Sequence, residues 1–263
     1  MKTYFQRAVS IAVLIFCIAV LIPCIISCAA NSEEKKKRGE AVRNVGEAYI
    51  REENYTAALK ELLKAEKIYD KDHFLQNDLG FAYMGKEKPE LAVRHFEKAV
   101  ELSPDFGPAR NNLGTAYLAL KNWDSAITVL TELTEDILYA TPHYPLSNIG
   151  WAYYNKGEYK LSEKYYKESL KKRPGFVLAL RGLGKTYLAT GKFPDAVKYF
   201  EKAVENTHPH AKINPELHFD MARAYRLSNN RKKAFDAYRK VIALEPESDL
   251  ARDAEKELEK MKK

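Results

Sequence analysis

"ALRGLGKTYLATGKFPDAVKYFEKAVE", residues 179–205, decides the fold. Gly184-Lys185-Thr186 stands at the interval from Ala179 that a phosphate-cradling loop requires, and only the first glycine of that pattern is missing. Such a loop needs a strand, a turn that exposes backbone N–H groups, and then a helix. This stretch offers something more regular. An aliphatic-small pair, Leu183-Gly184, is followed three residues later by Tyr187, then by a second small residue at Ala196 and bulky Phe200 four beyond it.

Working outward, the same pattern recurs six times. The pairs are Val45-Gly46, Leu79-Gly80, Leu113-Gly114, Ile149-Gly150, Leu183-Gly184 and Met221-Ala222, with Tyr49, Tyr83, Tyr117, Tyr153, Tyr187 and Tyr225 three residues on. Spacings between the small residues are 34, 34, 36, 34 and 38. Twelve residues beyond each comes Ala58, Ala92, Ala126, Ser162, Ala196 or Ala234, and four further on Leu62, Phe96, Leu130, Tyr166, Phe200 or Tyr238. This pattern resembles the tetratricopeptide repeat, a pair of antiparallel helices of about 34 residues. The small residues let two helices approach, and the bulky ones fill the space between them. Pro104, Pro174 and Pro246 fall where helices must end, and Pro89 and Pro194 where helices begin.

The expected fold is all-α: a right-handed superhelical tetratricopeptide solenoid of six helix-turn-helix units and a C-terminal capping helix. The units span 39–72, 73–106, 107–140, 143–176, 177–210 and 215–248, and the cap covers 249–263, with Leu250, Ala254, Leu258 and Met261 on one stripe. Two insertions, "EDILYATPHYP" and "NTHPHAKIN", fall between units and lengthen loops without touching the pairs.

The N-terminus is different in kind. Lys2 and Arg7 precede an uncharged stretch from Ala8 to Ser27, after which "NSEEKKKR" begins. A basic start and an apolar run read as an export signal, although about twenty apolar residues also suffice to span a bilayer. A retained span with its N-terminus in the cytoplasm would leave Lys35-Lys36-Lys37-Arg38 on the outer side, against the positive-inside tendency. Cys17, Cys24 and Cys28 are the whole cysteine content, so no disulfide or cysteine-based zinc site is possible downstream. Ile25-Ile26-Ser27-Cys28 resembles a lipobox. That resemblance makes 1–27 a lipoprotein signal peptide, Cys28 the acylated mature N-terminus carrying covalent lipid such as palmitate, and 28–38 a charged tether.

Formal charge is +7, but part of it belongs to the leader and part to Lys35–Arg38, so nucleic-acid binding is not expected. Neither is nucleotide binding, because Gly184 is one of six equivalent packing residues. His208, His210 and His218 cluster near the second insertion without a clear fourth ligand, so no metal site is expected. No nucleophile with its base or paired-carboxylate motif appears, and a catalytic role and cofactors are not expected.

In a tetratricopeptide solenoid the first helix of each pair lines the inner face. Helical phase places Phe74, Asn77, Phe81, Asn111, Tyr144, Trp151 and Tyr154 there as an aromatic and amide surface, followed by the basic Arg181, Lys185, Arg223 and Arg226. Exposed aromatics with amides are the composition of a peptide-binding groove. Glu47, Asp78 and Pro108 stand where a chaperone-type carboxylate clamp wants amides or a cation, so that role is disfavoured.

The lipobox, the short charged stretch, the six units and the segment Leu138–Tyr159 together resemble the type IV pilus biogenesis/stability lipoproteins of the PilF/PilW/Tgl kind, over essentially the whole chain. The resemblance implies a pilotin. Cys28 would be lipidated and Ala29, not aspartate, would follow it. The protein would reach the periplasmic face of the outer membrane, and the groove would engage a secretin. The competing expectation is a lipoprotein adaptor that scaffolds other envelope complexes, such as peptidoglycan enzymes.

Overall fold

The computed structural model describes residues 31–207 and 214–262, and every regular element among them is an α-helix. α1 covers 31–51. The remaining helices are α2 (Tyr55–Ile68), α3 (His73–Gly85), α4 (Pro89–Leu102), α5 (Gly107–Ala119), α6 (Trp123–Glu135), α7 (His143–Asn155), α8 (Tyr159–Lys172), α9 (Val177–Ala189), α10 (Phe193–Glu205), α11 (Pro215–Leu227), α12 (Arg231–Leu244) and α13 (Asp249–Lys262). This is the all-α tetratricopeptide solenoid class. The segment 1–27, Cys28, His208 and His210 lie outside the described residues.

The stretch expected as a tether is helical from residue 31 onward. Glu33 to Arg38 are helix-forming residues with no Gly or Pro among them, and Lys37 lies 4.0 Å from Glu33 one turn away. α1 therefore starts well before Gly39, and the charged segment is its exposed first turns.

The close-approach positions explain the pairing of helices. A Cβ placed on Gly46 would stand 2.6 Å from Leu62, one on Gly80 2.6 Å from Phe96, one on Gly114 2.4 Å from Leu130, and one on Gly184 2.7 Å from Phe200. Leu62, Phe96, Leu130, Tyr166, Phe200 and Tyr238 are among the largest fully buried side chains. Each small residue on a first helix thus receives the bulky residue from its partner helix. The second small residues, from Ala58 to Ala234, are wholly buried as well.

Every turn within a pair is built alike. Glu53, Glu87, Lys121, Gly157, Gly191 and Asn229 have positive φ, each seven residues after its unit's small residue. The next residue's N–H bonds back to the carbonyl of the repeat tyrosine: Asn54 to Tyr49, Lys88 to Tyr83, Asn122 to Tyr117, Glu158 to Tyr153 and Lys192 to Tyr187, all at 2.9 Å, and Asn230 to Tyr225 at 2.8 Å. This is the Schellman closure of a helix C-terminus. The same residue opens the following helix, and Asn54, Asn122 and Asn230 also cap it with their side chains. α4, α8 and α12 end two residues before Pro104, Pro174 and Pro246.

The described residues fall into two compact units, one ending at Ala109 and the other beginning at Arg110. In the first, Ala58, Leu62, Ala65, Leu75, Leu79 and Ala82 form one core. Arg43 pairs with the buried Asp72 at 2.6 Å, and Asp72 also caps α3 by accepting from the Phe74 N–H at 2.9 Å. In the second, one cluster runs from Tyr166 through Leu183 and Phe200 to Leu217. Another joins Tyr225, Tyr238 and Val241 to Ala254, Leu258 and Met261 of α13. Helix-to-helix ties repeat here: Tyr187 donates to Glu163 at 3.0 Å and Tyr225 to Glu201 at 2.6 Å, with Lys192 and Lys233 on the same carboxylates.

Candidate functional site

Within the second unit, α7, α8 and α9 enclose a hollow of about 260 Å³, lined by Ser147, Asn148, Trp151, Tyr166, Leu178, Arg181, Gly182 and Lys185. Its geometry follows from helical spacing, since Leu178, Arg181 and Lys185 share one face of α9, and Asn148, Trp151 and Tyr154 one face of α7. Tyr166 forms the floor. A Cβ at Gly182 would lie 2.1 Å from the Tyr166 Cζ, so only glycine lets α9 pass over that ring.

Trp151 and Tyr154 stack with centroids 5.5 Å apart and planes 9° from parallel. The Lys185 ammonium lies 5.3 Å from the Trp151 centroid and 5.9 Å from that of Tyr154, in cation–π range. Asp220 of α11 is buried and accepts from Arg181 Nη2 at 3.4 Å, while Lys185 Nζ stands 3.8 Å from the same oxygen. Arg181 Nε is buried with no hydrogen-bond partner among the described residues. Burial, helped by Tyr159 and Asp220, raises the Tyr154 phenol above its ordinary value, and Arg223 opposes the rise. Tyr154 is neutral at physiological pH and serves as a polar-tipped ring.

The phosphate-loop pattern ends here as packing. Thr186 is buried; its hydroxyl donates to the Gly182 carbonyl at 2.9 Å and receives the hydroxyl of Ser162 at 2.9 Å. Gly184 sits against Phe200, and Lys185 is committed to the aromatic pair and Asp220.

Of the residues that helical phase assigns to the inner face, the structure brings Trp151, Tyr154, Arg181 and Lys185 together. Arg223 is exposed on α11, and Arg226 faces α13, 3.3 Å from Glu257, beside a second hollow lined by Phe219, Arg223, Arg226, Asp253, Lys256, Glu257 and Lys260. Asn111 is half-buried, with its Oδ1 unpartnered among the described residues. Tyr144 is exposed at one edge but packs on Phe176 with centroids 5.0 Å apart, next to His143.

In the first unit Phe74 repeats that arrangement with Phe106 (5.1 Å) and His73 (4.1 Å), under the Arg43 guanidinium. Phe81 is exposed and Asn77 half-buried beside Asp78. Burial pushes the Asp78 carboxyl up to about 7; Arg43 pulls it back, while Glu47 and Asp72 push with burial. His218, from the weighed metal cluster, is buried on α11, and burial lowers its pKa. No group of three metal-ligating side chains occurs among the described residues, and no described helix is long and apolar enough to cross a membrane.

Sequence reasoning missed Asp220 and Leu178. Both were within reach of the phase argument, since Asp220 lies three residues before Arg223, and Leu178 three before Arg181.

Two sequence patterns described as "Tetratricopeptide repeat" match the chain, one at 148–211 and 187–249, the other at 83–137. Together they take in more than half of it, and the chain belongs to the tetratricopeptide-repeat proteins. No curated protein matches it. Among solved structures it is similar to PilW, a "widely conserved type IV pilus biogenesis factor", with TM-score 0.74 and 21% identity over 82% of this chain and 97% of that one. PilF of Pseudomonas aeruginosa aligns with TM-score 0.70 and 18% identity, over 86% of this chain and 99% of that one. The Cut9–Hcn1 hetero-tetramer of the APC/C scores 0.71 at 15% identity, over 86% of this chain and 44% of that one. At these identities the likeness shows the fold.

Proposed function

We propose that this chain is a non-enzymatic, lipid-anchored adaptor of the cell envelope that captures a protein partner through the inner-face side chains of its repeats, and that it serves as a pilotin for a type IV pilus secretin. The observation that carries the capture is the hollow around Trp151. A stacked aromatic pair, an incompletely paired guanidinium and the exposed Leu178 gather there within one hollow. Support for the pilus assignment comes from the resemblance of Ile25-Ile26-Ser27-Cys28 to a lipobox and from alignment over nearly the full length of PilW and PilF. In this reading acyl chains on Cys28 hold the protein at the periplasmic face of the outer membrane. The bound secretin subunit travels with it and assembles there.

The second reading, an adaptor for other envelope complexes, is favoured by one observation. The Cut9–Hcn1 structure aligns about as well, so the scaffold alone does not select a client.

The experiment is deletion of the gene, followed by immunoblotting of heat-resistant secretin multimers in outer-membrane fractions. The pilotin reading expects their loss, and restoration by the parent gene but not by Cys28→Ala. Multimers unchanged in the deletion strain rule it out in favour of the general adaptor. Full rescue by Cys28→Ala rules out the lipid anchor.

A further inference from the structure

We propose that the hollow between α7, α8 and α9 is a specificity subsite for an internal peptide segment in which an acidic side chain stands next to a large apolar one. The proposal rests on the protein-capture reading above and names what is captured.

The argument begins with charge. Asp220 is shared by Arg181 at 3.4 Å and Lys185 at 3.8 Å, and Arg223 projects from the same helix as Asp220, near Tyr154. Two cations thus share one carboxylate, with Arg223 one turn further along α11. The Arg181–Asp220 contact is a single long hydrogen bond, not the two-pronged pairing that a guanidinium and a carboxylate adopt when they saturate each other. Arg181 Nε–H is buried and unpartnered, the position from which a second carboxylate can be met side-on. Asp220 holds the cations in place while leaving positive charge unspent. Being largely buried, it cannot swing away to serve as a mobile counter-ion.

The apolar half of the chemistry lies on the same rim. Leu178 is 57% exposed on the turn of α9 preceding Arg181, and Trp151 is half-buried opposite. A carboxylate on Arg181 would leave its neighbour's side chain over Leu178 and Trp151. At about 260 Å³ the space admits a side chain or two, and is below the usual range for drug-sized ligands. Asn148 donates to Thr115 at 3.3 Å, which leaves its carbonyl oxygen to receive an N–H from an extended backbone.

The test uses the full chain in mild detergent, with a micelle-only blank. The probe is a fluorescein-labelled, end-capped peptide carrying Asp-Glu-Leu-Phe within Gly-Ser flanks, followed by anisotropy. The parent is expected to bind it at least about tenfold more tightly than the Lys-Lys-Leu-Phe or the Asp-Glu-Gly-Ser counterpart. Arg181→Gln and Leu178→Asp should each weaken binding by a similar factor, Arg181→Lys by less. All of these positions are partly open to solvent, and unchanged helical circular dichroism verifies folding.

Equal binding of the three peptides, or no binding of the first, overturns the proposal. So does preference for an uncapped peptide whose only carboxylate is its C-terminus. Asp136, Ile137 and Leu138, the last two 95% and 87% exposed, are themselves an acidic-apolar stretch, so sedimentation of the parent is run alongside. Concentration-dependent self-association that Arg181→Gln dissolves replaces the foreign segment with a second copy. Secretin capture that survives Arg181→Gln undiminished removes this subsite and leaves the pilotin reading standing. Peptide recognition without secretin capture does the reverse.

Discussion

Asp78 is a carboxyl held where its charge is unwelcome. Burial raises it from the ordinary 3.8 to about 7, and Glu47 and Asp72 add to the effect against the pull of Arg43. The fold therefore favours the protonated form. Its contribution is fully present below the unfolded-state value of about 4 and is lost as the pH rises through about 7, above which the penalty is constant. Asp78→Asn removes the ionisation. The variant should exceed the parent in stability by roughly 2 kcal/mol at pH 8, with the gap closing as the pH is lowered toward 4. Urea unfolding at the two pH values checks it, and an equal gap at both would refute it. Nothing in the sequence announces this, since Asp78 reads as one more polar residue between Asn77 and Leu79. Gly182 was equally silent: it falls outside the repeat pattern, and only the ring of Tyr166 from α8 explains it.

At the level of the helix pair, the pattern of small and bulky residues was legible because each small residue has one partner at a fixed sequence distance. The turns were legible in position but not in conformation. Glycine takes the left-handed place at Gly157 and Gly191, yet Glu53, Glu87, Lys121 and Asn229 take it elsewhere with φ between 56° and 63°. The Schellman bond to the repeat tyrosine forces that backbone whatever the side chain. A non-glycine residue there costs roughly 1 kcal/mol. Lys121 is exposed, so Lys121→Gly should raise the stability of its unit by about 1 kcal/mol, read as a shift in the thermal midpoint. Gly191→Ala should lower it comparably. Its Cβ would meet nothing within 4 Å, so any loss reports backbone strain alone.

For the chain as a whole, class was legible because six registers agree, whereas the hollow was legible only in part. Phase along α7 and α9 gathers Trp151, Tyr154, Arg181 and Lys185 on inner positions. That Asp220 reaches back to them from α11 depends on how consecutive pairs stack, which spacing does not encode. The second unit also depends on its last helix, because Ala254, Leu258 and Met261 cover Tyr238 and Val241. Deleting 249–263 should cost that unit roughly 3 kcal/mol or more. Native-state hydrogen exchange should then show protection lost in α11 and α12 but retained in α3 and α4; uniform protection would argue against the cap.

The uniform turn has a consequence for how such a chain can change length. Seven residues always separate the small residue from the left-handed one, while extra residues occur only in the joints between pairs. A pair is thus a cassette. Recombination at a joint can duplicate it, drop it or exchange it without altering any internal distance, whereas a single codon gained inside a pair would strand a glycine away from its ring.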